Sequence, residues 1–117
     1  MTFFSVFLGG GIGALLRFTI NSLVSAPLAT FLVNIAGSFI IGFLYIYFID
    51  KPSVSPVLKL ALTAGFCGGL TTFSTFSLEV FKMLTNQLFV YAFTYMILSI
   101  IVCLIAVTIG VYCAKIV

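Results

Sequence analysis

From Phe18 to Ile49 the chain runs for 32 residues without a charged side chain. The same scarcity holds for the whole sequence of 117 residues, of which 63% are hydrophobic, five basic and two acidic. A water-soluble domain is about a quarter charged, so this composition cannot build a surface that water would dissolve. The sequence therefore predicts an integral membrane protein and excludes a soluble enzyme, a secreted disulfide scaffold and a nucleic-acid-binding module.

Charged residues and prolines divide the chain into four segments that are long enough to cross a membrane, which takes about 20 helical residues. The predicted helices are Thr2–Val24, Ala29–Ile49, Val57–Leu84 and Phe89–Lys115. They use nearly the whole chain and leave no room for an extramembrane domain. We therefore expect residues 1–117 to form a single all-α domain of four transmembrane helices.

The few basic residues say little about which way the chain is inserted. With four spans, Lys51, Lys59 and Lys115 fall on the side of both termini, whereas Lys82 lies on the other side with Arg17 near it. Basic residues favour the cytoplasmic side, and three against two is a weak bias. The count permits insertion in both orientations, and a single orientation with the termini inside is the alternative.

Four helices of this length enclose little interior, so a polar path through one copy would be narrow, and an oligomer is favoured. Gly9 and Gly13 lie four residues apart on the first helix. Small residues at this spacing let two helices approach closely. The pattern fits packing between subunits and packing within one subunit equally well.

The third segment carries the densest polar cluster, the residues GFCGGLTTFSTFS of positions 65–77. Paired glycines followed by paired threonines are poor helix formers, which predicts a break near the bilayer midplane. A break at that depth is tolerated only where the backbone is buried in protein or lines a cavity. Five hydroxyl side chains follow the glycines within seven residues. They either line a polar path or bond to their own helix backbone.

Two other helices carry polar side chains inside their apolar runs. On the second helix, Asn34 and Ser38 are one turn apart and share a face. On the fourth, Tyr95, Ser99 and Cys103 form a stripe at four-residue spacing. Each set predicts either hydrogen bonds between helices or the wall of a wet path, because an amide in hydrocarbon must find a partner.

The remaining candidate residues are two charges near helix ends. Arg17 can extend to the headgroups or draw anions to a pore mouth. Glu79 precedes Lys82 by three residues, a spacing that allows an ion pair at the end of the third span. The three cysteines have no metal-ligand spacing, so they are expected to be small buried residues.

The residues that could line a path are hydrogen-bond donors and phenylalanines, without a ring of carboxylates. A cation path would usually have acidic rings. The edge of a phenylalanine ring is positive and can contact an anion that is losing water. The composition of the path therefore favours a small-anion channel or transporter.

Three segments of the chain resemble the Fluc/CrcB family of fluoride channels: GGGIGALLRF, TFLVNIAGSFIIGF and GFCGGLTTFSTFSLE. The resemblance covers nearly the whole chain, and the third segment is highly specific. It implies a channel, not an enzyme, through which cytoplasmic fluoride leaves passively across the plasma membrane. The membrane is expected to be that of a bacterial cell. It also implies an antiparallel, dual-topology dimer in lipid, with two pores that both subunits line.

The same resemblance assigns roles to individual residues. The implied pore residues are Asn34, Phe73, Phe76, Ser74, Thr75, Tyr95 and Ser99. A structural sodium ion is implied at the dimer centre, held by the backbone carbonyls of Gly68 and Thr71 from both subunits. Arg17 and Glu79 match motif positions and are candidates for a vestibule.

Three alternatives stay open on the sequence. A small multidrug exporter would have the same size and helix number, but it needs an acidic residue in its first helix, and this helix has none. A membrane scaffold subunit would use the phenylalanines and Asn34 for packing alone. Within the channel family, the partner is either a second copy of the chain or a paralogous subunit.

Overall fold

The structure is a computed structural model that describes residues 1–117. In chain order its elements are α1 (Thr2–Leu23), α2 (Leu28–Asp50), α3 (Pro56–Leu60), a π-helical segment (Ala61–Cys67), α4 (Gly68–Leu70), α5 (Phe73–Thr85) and α6 (Phe89–Ile116). The elements from α3 to α5 form one interrupted third span, Pro56–Thr85. All four spans are long and apolar enough to cross a membrane. The predicted all-α fold is confirmed, and every predicted helix end lies within one residue of the observed one.

Short turns connect the spans, and their residues account for where the helices stop. A turn with a cis peptide bond before Pro27 joins α1 to α2. Ser55 caps the third span by accepting a hydrogen bond from the backbone N–H of Leu58 at 3.2 Å, and Pro56 takes the first helical position, where no N–H is needed. Gln87, with φ of 62°, turns the chain between α5 and α6.

The third span is interrupted at Thr71 and Thr72, as the sequence predicts. Both residues are extended, with φ and ψ of −82° and 158° at Thr71 and of −151° and 123° at Thr72. The π-helical turns directly before Gly68 already depart from regular α-helix. The helix restarts at Phe73, where the Thr72 hydroxyl caps it by accepting from the backbone N–H of Thr75 at 3.2 Å.

The four spans pack as two helix pairs, α1 with the first half of the third span and α2 with α6. Glycines allow both contacts: a Cβ at Gly13 would collide with the carbonyl of Phe66, and one at Gly110 with the carbonyl of Phe39. Gly9 meets the third span in the same way, at Ala61. Of the two uses that the sequence left open for Gly9 and Gly13, the structure therefore shows packing within the subunit.

Few side chains are buried, as expected for a thin bundle with an apolar exterior. The only tightly packed apolar cluster lies where α5 turns into α6 and contains Val80, Met83, Ala92 and Tyr95. Large apolar residues on the other faces are exposed, among them Leu104 of α6. An exterior of this kind is suited to lipid or to another apolar protein surface.

Candidate functional site

An open cavity of about 500 Å³ lies beside the break of the third span. Its walls come from α2, the π-helical segment, α4, the break, α5 and α6. The lining residues are Asn34, Gly37, Ser38, Ile41, Thr63, Cys67, Gly68, Thr71, Thr72, Phe73, Phe76, Ser99, Ile100 and Cys103. None of them is charged, so what the cavity offers a ligand is hydroxyl, amide and backbone groups between aromatic and aliphatic side chains.

Asn34 of α2 is bound to the broken backbone through both ends of its amide. Its Oδ1 accepts from the backbone N–H of Thr72 at 2.8 Å, and its Nδ2 donates to the carbonyl oxygen of Thr72 at 3.1 Å. Gly37, one turn later, lets α2 approach, since a Cβ there would meet the Thr71 methyl group. An asparagine amide has two N–H groups, so one of them remains available to the cavity.

The hydroxyl groups of the third span are largely engaged within that span. Thr71 donates to the carbonyl of Cys67 at 2.9 Å, and Ser77 donates to that of Phe73 at 2.8 Å, so local backbone bonding is the correct interpretation for these two. Thr72 donates to the Thr75 hydroxyl at 3.1 Å. The hydrogen of the Thr75 hydroxyl has no partner in this arrangement and is free to be donated.

Three aromatic rings form a contiguous row next to the cavity. The ring centroids of Phe73 and Phe76 are 5.7 Å apart, and those of Phe76 and Tyr95 are 5.1 Å apart. Both pairs are tilted, so ring edges as well as faces are presented to their surroundings. Phe73 is 79% exposed, which leaves its ring free to contact a ligand or another subunit.

The polar stripe of α6 is divided by the structure. Ser99 and Cys103 line the cavity, whereas Tyr95 lies behind Phe76 and lines a separate cavity of about 340 Å³ near the α1–α2 turn. The Ser99 residue is only 8% exposed, and its hydroxyl oxygen is buried without a hydrogen-bond partner. A buried hydroxyl without a partner is costly, so Ser99 is a side-chain group whose hydrogen-bonding capacity the chain itself does not use.

Glu79 is held inside the bundle by two hydroxyl donors. Thr30 donates to Oε1 of Glu79 at 2.6 Å, and the Tyr95 hydroxyl donates to Oε2 at 2.7 Å. The ion pair with Lys82 that the spacing allows is not formed: the carboxylate binds α2 and α6, while Lys82 is exposed. Tyr95 has a single O–H, so in this conformation it cannot also donate to an anion.

The Arg17 side chain contacts the third span. Its Nε donates to the carbonyl oxygen of Gly69 at 2.9 Å, so it contacts α4 directly before the break. The contact places its cation near the third span, although Arg17 is not part of the cavity wall.

The break also leaves carbonyl groups without their helical partners, among them those of Gly68 and Thr71. In an unbroken helix the N–H of Thr72 would bond to the Gly68 carbonyl and that of Thr75 to the Thr71 carbonyl. Here the Thr72 N–H donates to Asn34 and the Thr75 N–H to the Thr72 hydroxyl. Both carbonyl groups belong to residues that line the cavity. Unwound carbonyls and helix C-terminal ends are the groups that hold Na⁺ in transporters, so these residues fit the predicted ion.

The structure thus brings together six of the predicted site residues: Asn34, Gly68, Thr71, Phe73, Phe76 and Ser99. Ser74, Thr75, Tyr95, Arg17 and Glu79 lie outside the wall of the same cavity. The sequence does not predict that Thr63, Ile41 and Ile100 line the cavity, because a single threonine or isoleucine in an apolar helix carries no signal of such a role. Cys103, the third residue of the stripe on α6, also lines the cavity, although a thiol is a weak donor. All three cysteines are free thiols; Cys67 is buried, as expected, whereas Cys103 and Cys113 are only half-buried.

A comparison with known proteins decides the family. The sequence profile described as "CrcB-like protein, Camphor Resistance (CrcB)" matches residues 4–111. The chain belongs to the CrcB family. The match includes all three motifs, the break and every residue that lines the cavity. Membership in this family and four apolar spans make the chain a multi-pass protein of the plasma membrane.

Relatives of this CrcB-family chain carry a common name. "Fluoride-specific ion channel FluC 2" of Staphylococcus saprophyticus is 41% identical over 94% of this chain and 97% of its own length. "Fluoride-specific ion channel FluC" of Flavobacterium psychrophilum is 42% identical over 97% of both chains. A protein of the same name from Methanococcus aeolicus is 41% identical over 88% of this chain and 86% of its own length.

Proposed function

We propose that this protein is a fluoride-selective channel through which cytoplasmic fluoride leaves the cell passively. The observation that carries the proposal is an uncharged cavity beside the break that is lined by Asn34, Phe76 and Ser99, whose buried hydroxyl makes no hydrogen bond in the chain. Fluoride is small and strongly hydrated, so a path must replace its water with hydrogen-bond donors. Relatives named as fluoride-specific ion channels, similar over nearly their full length, support the same assignment.

The electrostatics of the cavity favour an anion. No carboxylate lines it, so an entering anion meets no fixed negative charge at the wall. The N-terminus of α5, a helix of 13 residues, begins at the break and carries the positive end of the helix dipole. A free N–H of Asn34 and the Ser99 hydroxyl are candidate donors at the cavity, and the Thr75 hydroxyl, which lies outside its wall, is a candidate donor elsewhere along the proposed path. Phe73 and Phe76 can contribute their positive ring edges.

A complete pore requires a second subunit. The cavity is open on one side, and Phe73 at its rim is largely exposed. The proposed assembly is an antiparallel, dual-topology dimer with two pores, each lined by both subunits, and the weak charge bias of the loops is compatible with it. The partner is a second copy or a paralogous subunit.

The proposed dimer holds a structural sodium ion at its centre. The ligands would be the carbonyl oxygens of Gly68 and Thr71, which the break deprives of their helical partners. A bound cation at that depth supplies positive charge that lowers the cost of placing an anion near the midplane.

The test in cells uses a bacterial strain that is sensitive to fluoride because it lacks a fluoride exporter. Expression of this chain alone should restore growth in fluoride, and the Phe76→Ile and Asn34→Ser variants should restore it less. A scaffold subunit predicts no rescue, and a multidrug exporter predicts resistance to cationic drugs instead. Rescue that needs a co-expressed paralogue would assign a heterodimer.

A further inference from the structure

We propose that Arg17 is a positioning residue that fixes the break of the third span in the geometry that leaves the Gly68 and Thr71 carbonyls free for a cation. The inference rests on the proposed sodium site and goes beyond it, because it assigns the anchoring to a side chain of α1. Three observations carry it: the seating of α1, the hydrogen bonds at the break, and the position of the bonded nitrogen.

The first observation is that glycines seat α1 directly against the third span. A Cβ at Gly13 would collide with the carbonyl of Phe66 and approach the backbone N of Leu70, and a Cβ at Gly69 would collide with the carbonyl of Gly10. Arg17 lies one helical turn after Gly13 and therefore on the same face of α1. The backbone contact fixes how far its side chain must reach to meet the break.

The second observation is that both flanking helices donate side-chain hydrogen bonds to the backbone of the break. The backbone N–H and carbonyl of Thr72 are bound by Asn34 of α2. The carbonyl of Gly69 is bound by Arg17 of α1 at 2.9 Å. A carbonyl left without a donor in a membrane is unfavourable, so loss of the Arg17 bond would favour other conformations of residues 69–72. The carbonyl of Gly68 is adjacent to the bonded one and would move with it.

The third observation is that the bond comes from Nε, and no other guanidinium nitrogen of Arg17 has a partner in the chain. A guanidinium next to a cation site would repel the cation, so a favourable effect of Arg17 on that site must come from the directed bond. A role in attracting anions would come from the charge instead. Substitutions can separate the two, because glutamine places an amide nitrogen at the same number of bonds from Cα as Nε.

The experiment compares Arg17→Gln, which keeps a donor without charge, with Arg17→Lys, which keeps charge one bond further out, and Arg17→Met, which keeps neither. Two quantities are measured on purified protein. One is the rise in the melting temperature in detergent when Na⁺ replaces a large organic cation. The other is the Na⁺ concentration for half-maximal fluoride efflux from liposomes. Lys82→Met is the control, because it removes an exposed basic side chain in the last turn of α5, away from the break at its first residue.

We expect Arg17→Met to lose the Na⁺-dependent rise in melting temperature. The Na⁺ concentration for half-maximal efflux should rise about tenfold or more, because a hydrogen bond from a charged donor is lost. The Na⁺ concentration for half-maximal efflux of Arg17→Gln should stay within a fewfold of the wild-type value, and Lys82→Met should match the wild type. If Arg17→Met does not fold, the comparison of Arg17→Gln with Arg17→Lys tests the proposal.

The proposal is overturned if Arg17→Gln loses the response to Na⁺ as Arg17→Met does while Arg17→Lys keeps the response of the wild type. The charge of Arg17, and not its directed hydrogen bond, would then be the cause. The proposal is also overturned if the stability of the wild type does not respond to Na⁺. A wild type that is stabilised by Na⁺ but passes no fluoride would reject the channel and leave the positioning role standing. The two failures are therefore distinguishable.

Discussion

Asn34 pairs with Thr72 much as one β-strand residue pairs with another. The side-chain oxygen of Asn34 accepts the Thr72 N–H at 2.8 Å, and its side-chain nitrogen donates to the Thr72 carbonyl at 3.1 Å. One amide on α2 thus satisfies both backbone groups of a residue that the break removes from its helix. The same side chain still presents an N–H to the cavity, so its structural and its proposed functional roles are compatible.

Replacement of Asn34 by Ala should destabilise the protein, because it leaves both Thr72 backbone groups unpaired. At about 1–3 kcal/mol per buried unpaired group, we expect the free energy of unfolding to fall by about 2–4 kcal/mol. The measurement is unfolding by steric trapping in detergent. Asn21→Ala, at an exposed asparagine of α1, is the matched control and should change the free energy by less than about 0.5 kcal/mol. Equal effects of the two substitutions would refute the pairing as a source of stability.

Ser99→Ala should separate stability from transport. The Ser99 hydroxyl makes no hydrogen bond in the chain, so its removal should leave the unfolding free energy unchanged or raise it by up to about 1 kcal/mol. Fluoride efflux should fall about tenfold, as expected when one donor to an ion is lost. Thr108→Ala removes an exposed hydroxyl of α6 that bonds to its own backbone, and it should leave efflux unchanged. Undiminished efflux from Ser99→Ala would exclude its hydroxyl as a fluoride ligand.

Glu79 and Tyr95 should be coupled in a double-mutant cycle. Their hydrogen bond of 2.7 Å joins a carboxylate to a hydroxyl within the bundle. A bond to a charged group contributes about 1.5–3 kcal/mol, so Glu79→Gln and Tyr95→Phe should show a coupling energy of at least about 1 kcal/mol in unfolding. A cycle of Tyr95→Phe with Lys82→Met should show no coupling. Additive effects of the Glu79 and Tyr95 substitutions would argue against the contact.

Gly13 and Gly11 should respond in opposite directions to alanine. A Cβ at Gly13 collides with backbone of the third span, whereas one at Gly11 meets nothing within 4 Å. We expect Gly13→Ala to destabilise by about 1–3 kcal/mol, as overpacking does. Gly11→Ala should stabilise α1 by up to about 1 kcal/mol, because alanine is the better helix former. Melting temperatures in detergent give both values, and a tolerated Gly13→Ala would contradict the close contact of α1.

The helices could be predicted from the sequence because membrane spans depend on length and apolarity alone. The break could be predicted as well, since Gly68, Gly69 and the two threonines after them are all weak helix formers in one place. The packing partner of α1 could not be predicted from the sequence. A glycine pair such as Gly9 and Gly13 indicates that another helix approaches closely, but it does not indicate which helix.

The candidate site could be predicted only in part, for a related reason. Asn34, Ser99 and the phenylalanines stand out in the sequence because polar and clustered aromatic side chains inside a membrane span indicate a structural or functional role. The partners of Arg17 and Glu79 could not be predicted from spacing: Glu79 lies three residues before Lys82 but bonds to Thr30 and Tyr95, which are 49 and 16 residues away. Tertiary contacts override the local pair, since a hydroxyl aimed at a carboxylate inside the bundle binds it more strongly than an exposed lysine does.

The central claim is that the chain conducts fluoride and excludes chloride. The most direct measurement is anion loss from liposomes that contain only the purified protein, read with a fluoride electrode and, in matched liposomes, with a chloride electrode. The account predicts fast fluoride loss and chloride loss no faster than from empty liposomes. Loss of both anions at similar rates would contradict the selectivity, and absence of fluoride loss from folded protein, alone and with any paralogue from the same genome, would contradict the channel.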